Sequence, residues 1–334
     1  MIKKLFKRST ASDELLDPII DPALCFIHIP KTAGSSFRVA LEKSLPLEKD
    51  YGKSSAETTE LIKNHLDKED SSFYLREACQ LRPFSISGHM GVQRYSDMYS
   101  VRNIITFVRE PLSQVVSHFN HHVNHNQFTL TFQDFYQKPS FINLQSKSLS
   151  GIPLSLIGHI GVTERYNESI DIINAACGLT IEKIKVNQCS KAHKSESNLS
   201  NEELDELRLL NEKDLAVYEQ ALLEHKQRYQ YLCGGLDWAH IYATVNANNV
   251  LSGAAFWAAD DKPVEFDLEI DGICVDSFTA DKFFGQFPKF NFPRFRYIGF
   301  RLQVGKWVSK ETAIELVVKK TGQRYPLILP TRSI

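Results

Sequence analysis

Residues 24–37, LCFIHIPKTAGSSF, decide how this chain folds. The first six residues are a short apolar run rich in branched and aromatic side chains, which is typical of a buried strand. Pro30 ends the run, and small residues lead into Phe37, Leu41 and Leu45 at helical spacing. The order of strand, loop and helix predicts one unit of an α/β fold.

The same alternation recurs downstream. Short apolar runs at 84–88, 103–108 and 160–162 predict further strands, and the segments 111–124 and 166–176 predict helices after the last two. Strands that alternate with helices form a parallel sheet with helices on both faces. We therefore expect a P-loop-like α/β domain over residues 21–233.

Residues 200–231 form a long region with the pattern of helices. Residues 200–231 carry a helical stripe of leucines, Ser200 and Glu203 form a capping box, and Asn211 and Asp214 are candidate caps for a second helix.

Beyond Gly234-Gly235 the chain changes to short runs of alternating polarity separated by turns. The strands that these runs predict are 240–245, 264–270, 295–302 and 313–318. This pattern predicts a smaller all-β sandwich domain over 236–334.

Composition limits the classes of partner. Lys and Arg total 39 against 40 for Asp and Glu, so no overall field for nucleic acid is expected and any anion site must be local. The six cysteines form no C-x-x-C pair, which argues against a zinc site and a disulfide framework.

The N-terminal tail, residues 1–20, is basic at its start and lacks the apolar stretch of a signal peptide. No run of 18 apolar residues predicts a transmembrane helix. We expect a cytoplasmic, bacterial protein. A peripheral membrane contact through Ile2, Leu5 and Phe6 is the alternative to a frayed terminus.

The loop 29–37 has the composition of an anion site. Gly34 and its small neighbours let backbone N–H groups approach a phosphate, Lys31 adds a cation, and the helix that follows favours negative charge at its first turn. The loop differs from a Walker A motif because Lys31 precedes the glycine. The simpler alternative is a Ser- and Gly-rich helix cap.

A second candidate element is the segment 106–111, TFVREP. Arg109 falls at the carboxyl end of a predicted strand, where open α/β sheets place ligands, and Ser117 lies two turns into the next predicted helix. Together they could bind one more phosphate. The alternatives are a structural ion pair for Arg109 and a solvated position for Ser117.

These two segments together resemble the signatures that bind 3′-phosphoadenosine 5′-phosphosulfate (PAPS) in the sulfotransferase family. Four further segments resemble its carbohydrate branch, which contains the heparan O-sulfotransferases. They are 88–89 (GH), 143–151 (NLQSKSLSG), 161–169 (GVTERYNES) and 210–218 (LNEKDLAVY). The likeness covers 24–232 in the family's order.

The resemblance implies a role for each matched residue. His89 would be the general base for an acceptor hydroxyl, Arg109 and Ser117 would bind the 3′-phosphate, and Lys31 would also offset charge on the leaving oxygen. The 5′-phosphosulfate would be held by Lys31, Thr32, Ala33, Gly34, Ser35 and Ser36. The cofactor would be PAPS, the acceptor a carbohydrate, and no metal is expected.

Two other functions remain open at this point. A kinase or NTPase could use the same loop, and a decayed transferase could serve only to bind glycans. Two local alternatives also remain: His118, His121, His122 and His125 could hold a metal, although a polar helix face is the interpretation that we favour. In the β domain, Trp257, Phe283, Phe284 and Phe287 could stack on sugars, although core packing is the default.

Overall fold

The computed structural model describes residues 23–66, 71–81, 83–125, 129, 131–184, 193–305 and 313–328. The N-terminal tail with its expected membrane contact lies outside these residues, and so does Cys189. Within the described ranges, no helix is both long and apolar enough to cross a membrane.

The first half of the chain is built on one sheet of parallel strands. These strands are β1 (Cys25–Ile27), β2 (Leu47–Asp50), β3 (Ser85–Gly88), β4 (Ile104–Val108) and β5 (His159–Val162). Their order is β2-β3-β1-β4-β5 and every neighbouring pair is parallel. The predicted α/β class is confirmed.

Helices of this half connect the strands or pack beside them. The α-helices in the described residues are α1 (Gly34–Ser44), α2 (Glu60–Leu66), α3 (Ser71–Leu81), α4 (Pro111–Asn124), α5 (Phe132–Tyr136), α6 (Leu144–Ser148), α7 (Tyr166–Cys177), α8 (Asn201–Leu210) and α9 (Glu212–Cys233).

Strand β1 shows why both faces of the sheet are covered. Cys25 and Ile27 belong to one buried cluster, whereas Leu24 and Phe26 belong to another, which includes Phe37 of α1. Alternate side chains of a strand point to opposite faces, so a strand that is apolar on both faces needs a helical layer on each side.

Of the two helices of the leucine-rich region, α8 is capped as predicted and α9 is not. The capping box of Ser200 and Glu203 is present at α8, as predicted. The prediction that Asp214 caps the next helix is wrong, because its carboxylate accepts from the N–H groups of Gln145 and Ser146 at the start of α6.

The first turn of α9 is capped by Asn143, the residue directly before α6. The side-chain oxygen of Asn143 accepts from the N–H groups of Lys213 and Asp214 at 3.1 and 3.2 Å. The side chain of Asn211 makes no cap hydrogen bond to α9 and bonds instead to Asn143 and Leu207. Each helix therefore supplies the cap of the other, which fixes α6 against α9.

Every described strand of the C-terminal region pairs antiparallel with its neighbours. Its strands are β6 (Ala239–Val245), β7 (Val250–Trp257), β8 (Val264–Ile270), β9 (Ile273–Ala280), β10 (Lys282–Phe283), β11 (Tyr297–Gln303), β12 (Ile314–Val318) and β13 (Arg324–Pro326). They form two four-stranded sheets, ordered β10-β11-β7-β6 and β13-β12-β8-β9. The predicted all-β class of this region is confirmed.

Strand β7 joins the two halves of the molecule. Ala255 and Trp257 face the core between the two antiparallel sheets, whereas Ala254 and Phe256 face the cluster that contains Ile27 and the other residues on one side of the parallel sheet. That shared cluster takes further side chains from the C-terminal region, namely Phe284, Phe290, Phe292 and Ile298. Because this cluster takes side chains from both halves, the predicted boundary between a domain over 21–233 and a second domain over 236–334 stays a prediction.

We expect the shared cluster to make the two halves unfold together. Replacement of the buried Phe292 by Ala should lower the free energy of unfolding by about 3–5 kcal/mol, because it leaves a cavity beside both halves. Chemical denaturation followed by fluorescence and circular dichroism measures this. Phe283→Ala is the matched control, since that side chain is 62% exposed. Two separate transitions in the wild type would contradict the expectation.

Candidate active site

Three loops meet at one edge of the parallel sheet. Strands β3, β1 and β4 are neighbours, and the carboxyl ends of parallel strands lie at the same edge. His89 follows β3, Lys31 lies in the loop after β1, and Arg109 follows β4. Sheet topology thus gathers the candidate residues, although they are up to 78 positions apart in the sequence.

The loop after β1 has an unusual backbone. Lys31 and Ala33 adopt φ angles of 66° and 65°, in the left-handed region that residues with a Cβ rarely occupy. The hydroxyl of the buried Thr32 donates to the carbonyl oxygen of Ile29 at 2.9 Å and holds this turn. Left-handed residues within a turn direct successive N–H groups into one concavity, which favours an anion.

Helix α1 begins directly at this concavity. Its N-cap, Ala33, provides no side-chain hydrogen bond, and within the first turn the N–H of Ser36 donates to the carbonyl oxygen of Ala33 at 3.1 Å. The N–H groups at the start of a helix point outward along its axis. These groups and the helix dipole favour an anion at the start of α1. Gly34 is required here because a Cβ would lie 1.9 Å from Cδ2 of His28.

Arg109 is held against this loop. Its Nη1 donates to the carbonyl oxygen of Lys31 at 3.3 Å. The side chain of Gln145 binds both backbone groups of Arg109: it accepts from the N–H and donates to the carbonyl, each at 2.9 Å. Gln145 is fully buried, and its own N–H is capped by Asp214. Gln145 lies in the segment 143–151, but no role was assigned to it from the sequence.

Helix α4 supports the loop from the other side. Glu110 caps this helix by accepting from the N–H of Ser113 at 2.7 Å, and Gln114 donates to the carbonyl oxygen of Pro30 at 2.9 Å. Ser117 lies one turn after Gln114. Between Ser117 and Arg109, both of them described residues, there is no hydrogen bond, so the structure does not by itself pair them.

His89 lies at the rim of the same edge. It is exposed, and its ring packs edge-on against the rings of His28 and Tyr51, with centroids 4.7 Å apart in each case. Partial desolvation lowers the pKa of His89 below its usual 6.5; Glu57 opposes this shift and Arg38 adds to it. The imidazole is therefore neutral at pH 7 and can accept a proton.

His28 is a site residue that the sequence did not reveal. It is buried, its Nδ1 lies 2.9 Å from the hydroxyl of Tyr51, and its ring touches both Gly34 and His89. Burial lowers its pKa to about 3, helped by the charges of His89, Arg38 and Lys31. The only sequence signal was that His28 is a polar residue within an apolar run, residues 24–29, and we interpreted the whole run as a strand.

The histidines of α4 lie beside this site. His118 is buried against Phe135 and Phe141, and its Nε2 lies 3.1 Å from Nε2 of His122. Burial lowers the pKa of His118 to about 3 and that of His121 to about 4, and Lys31 contributes to both shifts. In the part of the chain that the structure describes, no three His, Cys, Asp or Glu side chains are grouped to hold a metal ion.

A cavity of about 370 Å³ opens beside His89. The residues that line it come from the end of β2, from the segment after β3 and from the turn after α6. They are Asp50, Gly52, His89, Met90, Gly91, Val92, Gln93, Arg94 and Ser150. The cavity therefore joins the candidate base to a polar wall.

The aromatic residues of the β region divide into two groups. Trp257 and Phe284 are buried, and Phe287 is half-buried and packs against Tyr242, in line with the core packing that we favoured for these aromatic residues. Phe283 alone of the four is exposed, and its ring packs against Tyr297. Core packing, which is the default for aromatic residues in a sandwich, accounts for the positions of Trp257, Phe284 and Phe287.

We expect Gly34→Ala to weaken the binding of 3′-phosphoadenosine 5′-phosphate (PAP), the expected product of the donor. The added Cβ must displace His28 or the start of α1, so the PAP affinity should fall about tenfold or more, as calorimetric titration would measure. Gly285→Ala is the control, since its nearest neighbour would lie 3.8 Å away. His28→Ala combined with Gly34→Ala should recover part of the loss. An unchanged affinity in Gly34→Ala would contradict this assignment of the loop.

Comparison with known proteins gave few matches. No protein-family model matches the chain, and no curated protein sequence matches it. Among solved structures, a sulfotransferase from Alicyclobacillus acidocaldarius is similar, with 14% sequence identity and a TM-score of 0.38. The similarity covers 60% of this chain and 95% of that chain. At this level the similarity does not establish a family or an activity.

Proposed function

We propose that this protein is a sulfotransferase that moves a sulfuryl group from PAPS to a hydroxyl of a carbohydrate. The observation that carries the proposal is the contact of the left-handed loop at Lys31 with Arg109. This contact lies between a backbone turn of a kind that favours an anion and a guanidinium, at the sheet edge where a neutral histidine also lies.

The shape of the donor accounts for this arrangement. PAPS carries anionic groups at two ends, and the site has two elements that suit them. The loop 31–36 and the start of α1 would bind the 5′-phosphosulfate, and Arg109 with Ser117 would bind the 3′-phosphate. The clamp of Gln145 on the backbone of Arg109 supports this role, because a fixed backbone limits where the guanidinium can lie.

A kinase or NTPase is the weaker alternative. In a Walker A loop the lysine follows the glycines and reaches the β- and γ-phosphates, whereas Lys31 here precedes Gly34.

The chemical step would use His89 as general base. His89 would remove the proton of the acceptor hydroxyl while the acceptor oxygen forms a bond to sulfur and the bond from sulfur to the phosphate oxygen breaks. Lys31 would offset the negative charge that develops on that leaving oxygen. The neutral state of His89 at pH 7 and its packing between His28 and Tyr51 suit it to this role.

A carbohydrate acceptor is supported by the cavity beside His89. Its volume of about 370 Å³ is at the small end of the range of ligand pockets. Its wall offers Gln93, Arg94 and Ser150 beside the apolar Met90 and Val92. Hydroxyl-rich ligands need such a mixture of donors and acceptors beside apolar surface.

We expect His89→Ala to lower the rate of sulfuryl transfer by roughly a hundred- to ten-thousandfold, because a positioned base contributes about that much. Transfer of labelled sulfate from PAPS to a saccharide mixture measures this. PAP affinity should stay within about twofold, since His89 lies outside the proposed phosphate contacts. His125→Ala, an exposed histidine of the same protein, is the control.

The same assignment fixes the dependence on pH. A base must be deprotonated, and the pKa of His89 lies below 6.5, so kcat/KM should be level above pH 6.5 and fall as the pH drops through that lowered pKa. Full activity in His89→Ala, or a rate that rises toward acid, would contradict the role. Tight PAP binding without transfer to any saccharide would favour the decayed glycan-binding alternative.

A further inference from the structure

One wall of the cavity beside His89 is a fixed guanidinium. Nε of Arg94 donates to Oδ2 of Asp50 at 2.6 Å, and the hydroxyl of Tyr95 donates to the same oxygen at 2.8 Å. Oδ1 of Asp50 accepts from the N–H of Gly52 at 3.1 Å. Asp50 is 3% exposed, so it is a buried anchor for Arg94 rather than a ligand contact.

The two terminal nitrogens of Arg94 are not used in its contact with Asp50. Its side chain is 44% exposed, and its Nη1 and Nη2 have no hydrogen-bond partner within the described ranges. A guanidinium that is fixed through Nε presents its two terminal nitrogens as donors in a set geometry. Arg94 and His89 both line the same cavity.

Gln93 is fixed beside Arg94. Its Nε2 donates to the carbonyl oxygen of Ser150 at 3.1 Å, and Gly151 lies so close that a Cβ there would be 2.2 Å from that nitrogen. With its amide nitrogen held in this way, the side-chain oxygen of Gln93 remains as an acceptor. The cavity wall therefore offers fixed donors beside a fixed acceptor.

The charges of the cavity cancel. Among the described lining residues, Arg94 is the one cation and Asp50 the one carboxylate, and they are paired. The nearby Arg38 is likewise matched, with Glu42 at 3.0 Å and Glu57 at 3.8 Å. Among the described residues that line the cavity, no cation lacks a carboxylate partner, so a carboxylated ligand would add a charge beside the anionic donor that the cavity wall does not offset.

We infer that the cavity binds an uncharged sugar ring, and that Gln93 and Arg94 are its specificity-determining contacts. Neutral hydroxyls can accept from Arg94 and donate to Gln93 at no electrostatic cost, whereas a uronic acid adds an unmatched charge. This inference rests on the proposed function, because it places the acceptor hydroxyl at His89.

The test uses the full chain and matched saccharides. Oligosaccharides of one linkage that end in glucose or glucuronic acid, and in galactose or galacturonic acid, are titrated by saturation-transfer NMR with and without PAP. At least one neutral ligand should bind about tenfold more tightly than its carboxylated partner. Gln93→Ala should weaken that binding about tenfold, while Gln137→Ala, an exposed glutamine that bonds to Glu206, should not.

A second variant guards against a folding defect. Arg94→Gln alone would leave the buried Asp50 without its cationic partner, so Asp50→Asn is combined with it to remove both charges. This double variant should also weaken the binding of neutral ligands about tenfold. Tighter binding of the carboxylated partners, or neutral binding unchanged in both variants, would overturn the inference. PAP affinity is measured separately, so a failure of the donor site is distinguished from a failure of the sugar site.

Discussion

The parallel pairing of β1 with both of its neighbours is the constraint on which the rest of the site depends. Ile27 pairs with Gly88 on one side and with Thr106 on the other, and the N–H of His28 donates to the carbonyl oxygen of Gly88. This register sets the ends of β1 and β3 level, and β4 continues two residues farther along the same edge to Val108. The loop 29–37, which is the candidate anion site, the candidate base His89 and the candidate phosphate-binding Arg109 follow these strand ends.

Close approach at this edge is possible only because particular residues are small. A Cβ at Gly88 would lie 1.8 Å from the carbonyl oxygen of Asp50, and one at Gly34 would collide with His28. The first glycine lets β2 reach the edge, so that Asp50 can anchor Arg94. The second lets the neutral, buried His28 contact both the loop 29–37 and His89. The same two glycines that permit close backbone packing are therefore needed for the proposed chemistry.

The exchange of caps between α6 and α9 connects the distant helices to this edge. Asp214 fixes the first turn of α6, α6 carries Gln145, and Gln145 binds the backbone of Arg109. Burial raises the pKa of Asp214, and its hydrogen bonds from the backbone at Gln145 and Ser146 oppose that shift. A helix more than a hundred residues along the chain thus holds a proposed ligand contact in place.

The sequence predicted the elements that are defined by local periodicity. Helix α4 has the expected bounds and β8 has them too, because apolar spacing and end signals coincide there. Strand β2 was missed because LEKD is half-buried and polar, and β11 begins two residues late because Phe295 and its neighbours adopt positive φ angles. The partners of His28, Gln93, Gln145 and Asp214 are tertiary contacts, so no local pattern could reveal them.

The central claim is that the edge formed by Lys31 and Arg109 binds PAPS. Calorimetric titration of the purified chain with PAP, with ATP as the competing ligand and Arg109→Ala beside the wild type, tests it most directly. The account predicts PAP binding that is at least tenfold weaker in Arg109→Ala, and no comparable binding of ATP. Absence of PAP binding at millimolar concentration, or a preference for ATP, would contradict it.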